Sequence, residues 1–141
     1  MHGLDVLKKL YIDLLGENQE ALDALEREQY LSITVNEIET LLVFDESEPE
    51  KLAIKASVGE IPLDTPVTVT IMKILLEANF EFCGTRGATL GVNSQTGEVC
   101  MFYNAHCVEA SIFALQQLVF DFSKAAKIWQ EALITLIQEA R

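Results

Sequence analysis

LSITVNEIETLLVFDESEPEKLAIKASV, residues 31–58, alternates apolar and polar side chains in three successive runs. Leu31, Ile33 and Val35 alternate with Ser32, Thr34 and Asn36; Ile38, Leu42 and Phe44 with Glu39 and Val43; Leu52, Ile54, Ala56 and Val58 with Ala53, Lys55 and Ser57. Successive side chains of a strand point to opposite faces, so each run reads as a strand with one face on a core. The polar turn Asp45-Glu46-Ser47-Glu48-Pro49-Glu50 separates the second run from the third, and the connections are short. The stretch predicts a three-strand antiparallel meander. Leu41 and Val43 fall on the face opposite Leu42 and Phe44. The sheet thus carries apolar groups on both sides, which a sheet with one solvated face does not need.

Towards the N-terminus, Leu4, Leu7, Leu10, Tyr11, Leu14 and Leu15 recur at three- and four-residue steps. They predict an amphipathic helix over about 4–15, ended by Gly16. Residues 17–29, ENQEALDALEREQ, read as a further helical segment, a solvated acidic insert with five acids against Arg27. Towards the C-terminus, a loop from Gly59 to Pro66 leads into a helix that starts at Thr65 or Pro66 and runs to about Asn79. Its polar residues Thr70, Lys73 and Glu77 form one narrow stripe, and apolar residues cover most of the remaining circumference. A helix apolar nearly all round is buried on more than one side. One side packs on the sheet, and a symmetric homodimer is the most economical source of cover for the other.

Phe80 and Phe82 are expected to open a second strand region. Ala88, Leu90 and Val92 form one strand, Asn93–Gly97 a hairpin loop, and Val99, Met101 and Tyr103 the return strand. A long helix over about 109–139 buries Ile112, Leu115, Phe122, Trp129 and Leu133. The order is helix, three strands, helix, two-strand hairpin, long C-terminal helix: a single α+β domain over 1–141.

A chain of 141 residues with half its residues hydrophobic can bury a core without disulfides or metals. Its 22 acidic and 10 basic residues give a net charge of −12. Binding to nucleic acid or to an anionic membrane surface needs clustered Lys and Arg, so neither is expected. The acid is concentrated: residues 1–70 carry 15 acidic and 5 basic residues, residues 71–141 carry 7 and 5. No stretch is long and apolar enough for a membrane span, and the N-terminus lacks the pattern of a signal peptide. Cys83, Cys100 and Cys107 contain no CxxC pair and read as reduced thiols of a cytosolic protein.

Candidate chemistry is sparse. His106-Cys107 suggests a thiolate phosphatase, but that chemistry needs an Arg six residues on to clamp the phosphate, where Phe113 stands. Cys100, His106 and Cys107 make three metal ligands without a fourth. The run Gly84–Gly91 matches neither phosphate-binding loop pattern and leads into a strand, so it reads as a bend or bulge. No catalytic residue, cofactor or metal is assigned, and the chain is read as a non-enzyme. The remaining signal is apolar surface left over once a core is filled, which points to binding.

Leu75-Leu76-Glu77-Ala78-Asn79-Phe80, Gly84-Thr85, Gly87-Ala88-Thr89-Leu90-Gly91-Val92-Asn93 and Thr96-Gly97-Glu98-Val99 together resemble the type III secretion chaperones of the Tir-chaperone (CesT-like) family. Gly59-Glu60-Ile61-Pro62 and the late Trp129 add to the resemblance, which spans about 30–139. It implies a homodimer of the bacterial cytoplasm, associated with virulence, that binds an extended N-terminal segment of a secreted effector and keeps it secretion-competent without ATP. The secretion apparatus is a further expected partner. The resemblance implies a dimer interface that includes Val69, Met72, Ile74 and Leu76, and effector patches that draw on Leu7, Leu10, Tyr11, Leu31, Ile33, Leu41 and Val43. Such chaperones usually pass from first helix to first strand quickly, and residues 17–29 depart from that. The alternative function is an adaptor of the same fold that binds a folded partner.

Overall fold

The computed structural model describes residues 3–45, 47–82, 84–106 and 112–140. The period-two stretch becomes strands β1 (Tyr30–Val35), β2 (Ile38–Phe44) and β3 (Lys51–Glu60), antiparallel in sequence order as expected. Leu31 pairs with Leu42, and Leu42 with Ile54, so these three residues share one face and all are buried. β1 and β2 are joined by Asn36 and Glu37 alone, with φ of 52° and 65°. A two-residue hairpin that follows the twist of its strands requires positive φ at both central positions, and Asn tolerates it best after Gly.

The second hairpin, β4 (Thr89–Val92) and β5 (Glu98–His106), does not stand apart. β5 pairs along the whole of β3, giving one five-stranded antiparallel sheet in the order β1-β2-β3-β5-β4. The hairpin loop closes at Gly97, whose φ is 81° and where an added Cβ would overlap the Ile61 carbonyl oxygen, so only glycine fits.

Four helices complete the fold: α1 (Gly3–Leu15), α2 (Gln19–Glu28), α3 (Pro66–Asn79) and α4 (Ile112–Glu139). Leu115, Val119, Phe122, Ala126 and Leu133 of α4 join Val6, Leu7 and Leu10 of α1 and Ile71, Leu75 and Ala78 of α3 in one core on the inner sheet face. Of the buried residues expected on the last helix, Leu115, Phe122 and Leu133 are fully inside, while Ile112 and Trp129 pack at the core's edge. Residues 109–111, which the expected helix includes, lie outside the described residues. The tip of the β1–β2 hairpin fastens to α4. Asn36 Nδ2 donates to Ser123 Oγ at 2.9 Å, and Lys127 Nζ reaches Glu37 Oε2 at 2.9 Å.

Two expectations are corrected. Residues 17–29 are helical, but α2 is no solvated appendage. Asn18 caps it, its Oδ1 accepting from the Ala21 N–H at 3.1 Å, and Leu22 and Leu25 are buried. Lys8 of α1 pairs with Glu26 at 3.0 Å. The helix is acidic on its outer side and docked by its two leucines. Phe80 and Phe82 do not open a strand. Phe80–Phe82 is a single 3-10 turn in which the Phe80 N–H still bonds the Leu76 and Glu77 carbonyls of α3. The chain is thus still leaving the helix, and alternation over three residues is too short to override that.

Candidate interaction surfaces

Helix α3 separates into two faces. Thr65 and Thr68 form a reciprocal cap, and Pro66 occupies the first turn, where its missing N–H costs nothing. Thr68, Ile71, Leu75 and Ala78 face the core. Val69, Met72, Leu76 and Phe80 recur at three- and four-residue steps on the other side, with Leu76 69% and Phe80 70% exposed. Met72 and Leu76 also line an apolar groove of about 210 Å³ against Leu90, Gly91 and Val92 of the edge strand β4. Of the four expected interface residues, Val69, Met72 and Leu76 lie together. Ile74, two residues from each of Met72 and Leu76 and so about 200° away around the helix, lies on the other flank and is half-buried. Phe80 belongs to the exposed stripe and was missed, although the spacing from Leu76 carries the signal.

The second surface is the outer face of the sheet, on which no helix packs among the described residues. Leu41 and Val43 lie there half-buried, beside Tyr30, Ala53 and Phe102; in register, Tyr30 faces Val43, and Lys55 lies between Leu41 and Phe102. The remaining expected effector residues are placed differently. Leu7 and Leu10 are 0% exposed, and Leu31 and Ile33 are also buried on the inner face, so none of the four presents its side chain at the surface. They alternate or recur correctly, but their faces are the ones the core uses. Tyr11 is half-buried at the core's edge. At the end of α1, Leu14 and Leu15 are exposed instead.

The two edges of the sheet differ. At the β4 edge, Asn79 Nδ2 donates to the Leu90 carbonyl at 2.9 Å and Asn79 Oδ1 accepts from the Leu90 N–H at 2.8 Å. A side-chain amide thus occupies the backbone groups that an added strand would need. Among the described residues, β1 has β2 on one side and no strand on the other.

The residues weighed for chemistry do not converge. The Cys100 thiol donates to Glu98 Oε1 at 3.2 Å, and burial, with the neighbouring carboxylate, pushes its pKa up to about 11, against nucleophilic use. His106 is exposed at the end of β5; Cys107 and Cys83 lie outside the described residues. Among the described residues, no three His, Cys, Asp or Glu side chains come together as metal ligands. The Gly84–Gly91 run is a turn into β4, held by Trp129, whose indole N–H donates to the Gly84 carbonyl at 2.9 Å. No helix among the described residues is long and apolar enough to cross a membrane.

Comparison with known proteins places this geometry in a family. The model of the Tir chaperone protein (CesT) family matches residues 16–130, and the chain belongs to that family, the type III secretion chaperones. Three solved structures share the fold at low identity. A chain of the ExsC-ExsE complex superposes with a TM-score of 0.70 at 19% identity, over 93% of this chain and 96% of that one. A chain of the HopA1-SchA chaperone-effector complex gives 0.58 at 17%, over 90% and 98%. A chain of the heterodimeric ExoU-SpcU complex from the type III secretion system of Pseudomonas aeruginosa gives 0.57 at 16%, over 79% and 84%. Among curated proteins, none matches this chain by sequence. The family match includes α2 and begins after α1.

Proposed function

We propose that this chain is a homodimeric, non-enzymatic chaperone of the bacterial cytoplasm that holds an extended N-terminal segment of a secreted effector. Family membership over residues 16–130 carries the reading, and the surfaces agree with it. The exposed stripe Val69, Met72, Leu76 and Phe80, beside the α3–β4 groove, suits a second copy of the same surface. The cargo is assigned to the outer sheet face around Leu41 and Val43, to Tyr11 and the exposed leucines ending α1, and to the open β1 edge. There an extended chain can add backbone hydrogen bonds to apolar contacts. Ordering a disordered segment costs several kcal/mol, so capture needs a large area, which two subunits together offer.

Co-expression with N-terminal fragments of type III effectors from the source bacterium tests this. The proposal expects a stable complex of two copies of this chain with one unfolded fragment. Binding only of folded partners would favour the adaptor reading.

A further inference from the structure

The outer sheet face carries a trough that runs across the strands. A hollow of about 500 Å³ opens between β2 and β3 where their pairing ends at Leu41 and Lys55, reaches down to Ile38, Ala56 and Gln130 of α4, and is rimmed by Glu37 and Glu39; it continues on the outer face into one of about 340 Å³ bordered by Phe102, Gly91 and Asn93. The two share Lys55, Glu98 and Cys100. Among the described residues, three carboxylates, Glu37, Glu39 and Glu98, line it with one ammonium, Lys55, beside the apolar Leu41 and Phe102. Glu37 is neutralised by Lys127. Glu39 accepts from the Ser32 hydroxyl at 3.0 Å and Glu98 from the Cys100 thiol at 3.2 Å, both neutral donors. Among the described residues neither carboxylate is in an ion pair. They stand two strands apart and are offset by about two residues along the strands, a separation of at least ~12 Å.

We propose that this trough binds a basic-apolar stretch of cargo, with Lys or Arg side chains at Glu39 and Glu98 and apolar side chains on Leu41 and Phe102. The inference rests on the chaperone reading and names the chemistry of the cargo that this face selects. An extended chain advances about 3.3 Å per residue and alternates its side chains between two faces, so basic positions about four residues apart match the two carboxylates. The complementarity is local as well as global, since the unpaired carboxylates sit beside exposed apolar groups in a chain of net charge −12.

Three fluorescein-labelled peptides of about ten residues test it by anisotropy against the intact protein: a Lys-Leu peptide repeating Lys-Ser-Leu-Ser, a Glu-Leu peptide repeating Glu-Ser-Leu-Ser and a Ser-Leu peptide repeating Ser-Ser-Leu-Ser, each of which puts its Leu and its variable residue on one face of an extended chain. The Lys-Leu peptide is expected to bind tightest, and to lose its advantage near 1 M salt, where screening acts over about 3 Å. Glu39→Gln with Glu98→Gln should weaken it about two- to fivefold per carboxylate, and Lys55→Gln should tighten it. A control, Glu17→Gln with Glu20→Gln, neutralises acids off this face and should change nothing. Equal binding of all three peptides, an equal loss in the control, or no response to Lys55→Gln would overturn the proposal. If an effector fragment still forms its complex with the Glu39→Gln/Glu98→Gln variant at unchanged affinity, the trough's preference fails and the chaperone reading stands. If no fragment forms a complex with the parent protein, that reading fails by itself.

Discussion

Leu7 and Leu15 lie on one helix and have the same side chain, yet one is 0% and the other 62% exposed. Periodicity identifies the apolar stripe of α1 but not where along the helix the sheet and α4 stop covering it. That is why the core and the surface of this helix could not be told apart in the sequence. The distinction is testable. Leu7→Ala should cost about 2–5 kcal/mol in denaturant unfolding, because it empties a closed part of the core, while Leu15→Ala should stay within about 0.5 kcal/mol. Cys100 gives a second test. In a Cys83→Ser/Cys107→Ser background, with a thiol pKa of about 11, only about a thousandth of it is thiolate at about pH 8. Iodoacetamide labelling should be slow there and rise steeply above about pH 10; fast labelling at neutral pH would show an exposed thiol. Glu37 works in the opposite direction. Its hydrogen bond and charge pairing with Lys127 hold its carboxyl below the usual range. Any stabilisation from the pair is therefore present above that range and fades as pH falls through the lowered value.

At the level of elements, the meander, α1, α3 and the second hairpin were legible because each has its own period. Pro66 after Thr65 marks the start of α3 and Gly16 the end of α1. What local pattern does not carry is partnership between distant elements. Nothing in residues 98–106 by themselves tells that β5 runs beside β3, since that pairing is selected by the shared core between sheet and helices. The docking of α2 was hidden for a similar reason, its four acids outweighing two leucines in any reading of composition. The turn that fastens the sheet to α4 is a site of positive φ and of tertiary hydrogen bonding at once. Asn36→Ala should cost about 1–3 kcal/mol by losing the bond to Ser123 and adding strain, read as a lower midpoint with unchanged slope in urea. If α3 forms the proposed dimer interface, Leu76→Asp should give a monomer by light scattering and leave the helical signal intact, because the side chain is exposed within one copy. Ile74→Asp, on the other flank, should damage folding more than association.

Across the whole molecule, the charge takes on a position. The acidic first half contains α1, α2 and the meander, and with the meander three of the five strands of the outer sheet face; the nearly neutral second half contains most of α3, the second hairpin that completes that face, and α4. On the proposed reading, carboxylates beside apolar groups would keep copies apart while the surface is empty. The free protein should therefore aggregate more readily as salt rises, measured by light scattering. The state of the bound cargo separates a chaperone from an adaptor. Hydrogen exchange on a complex with an N-terminal effector fragment measures this directly. Protection is expected in short, separated stretches of the fragment, with no cooperative unfolding unit of its own, together with new protection along Tyr30–Val35 of this chain. A fragment protected as one folded domain, with Tyr30–Val35 unchanged, would contradict the chaperone reading.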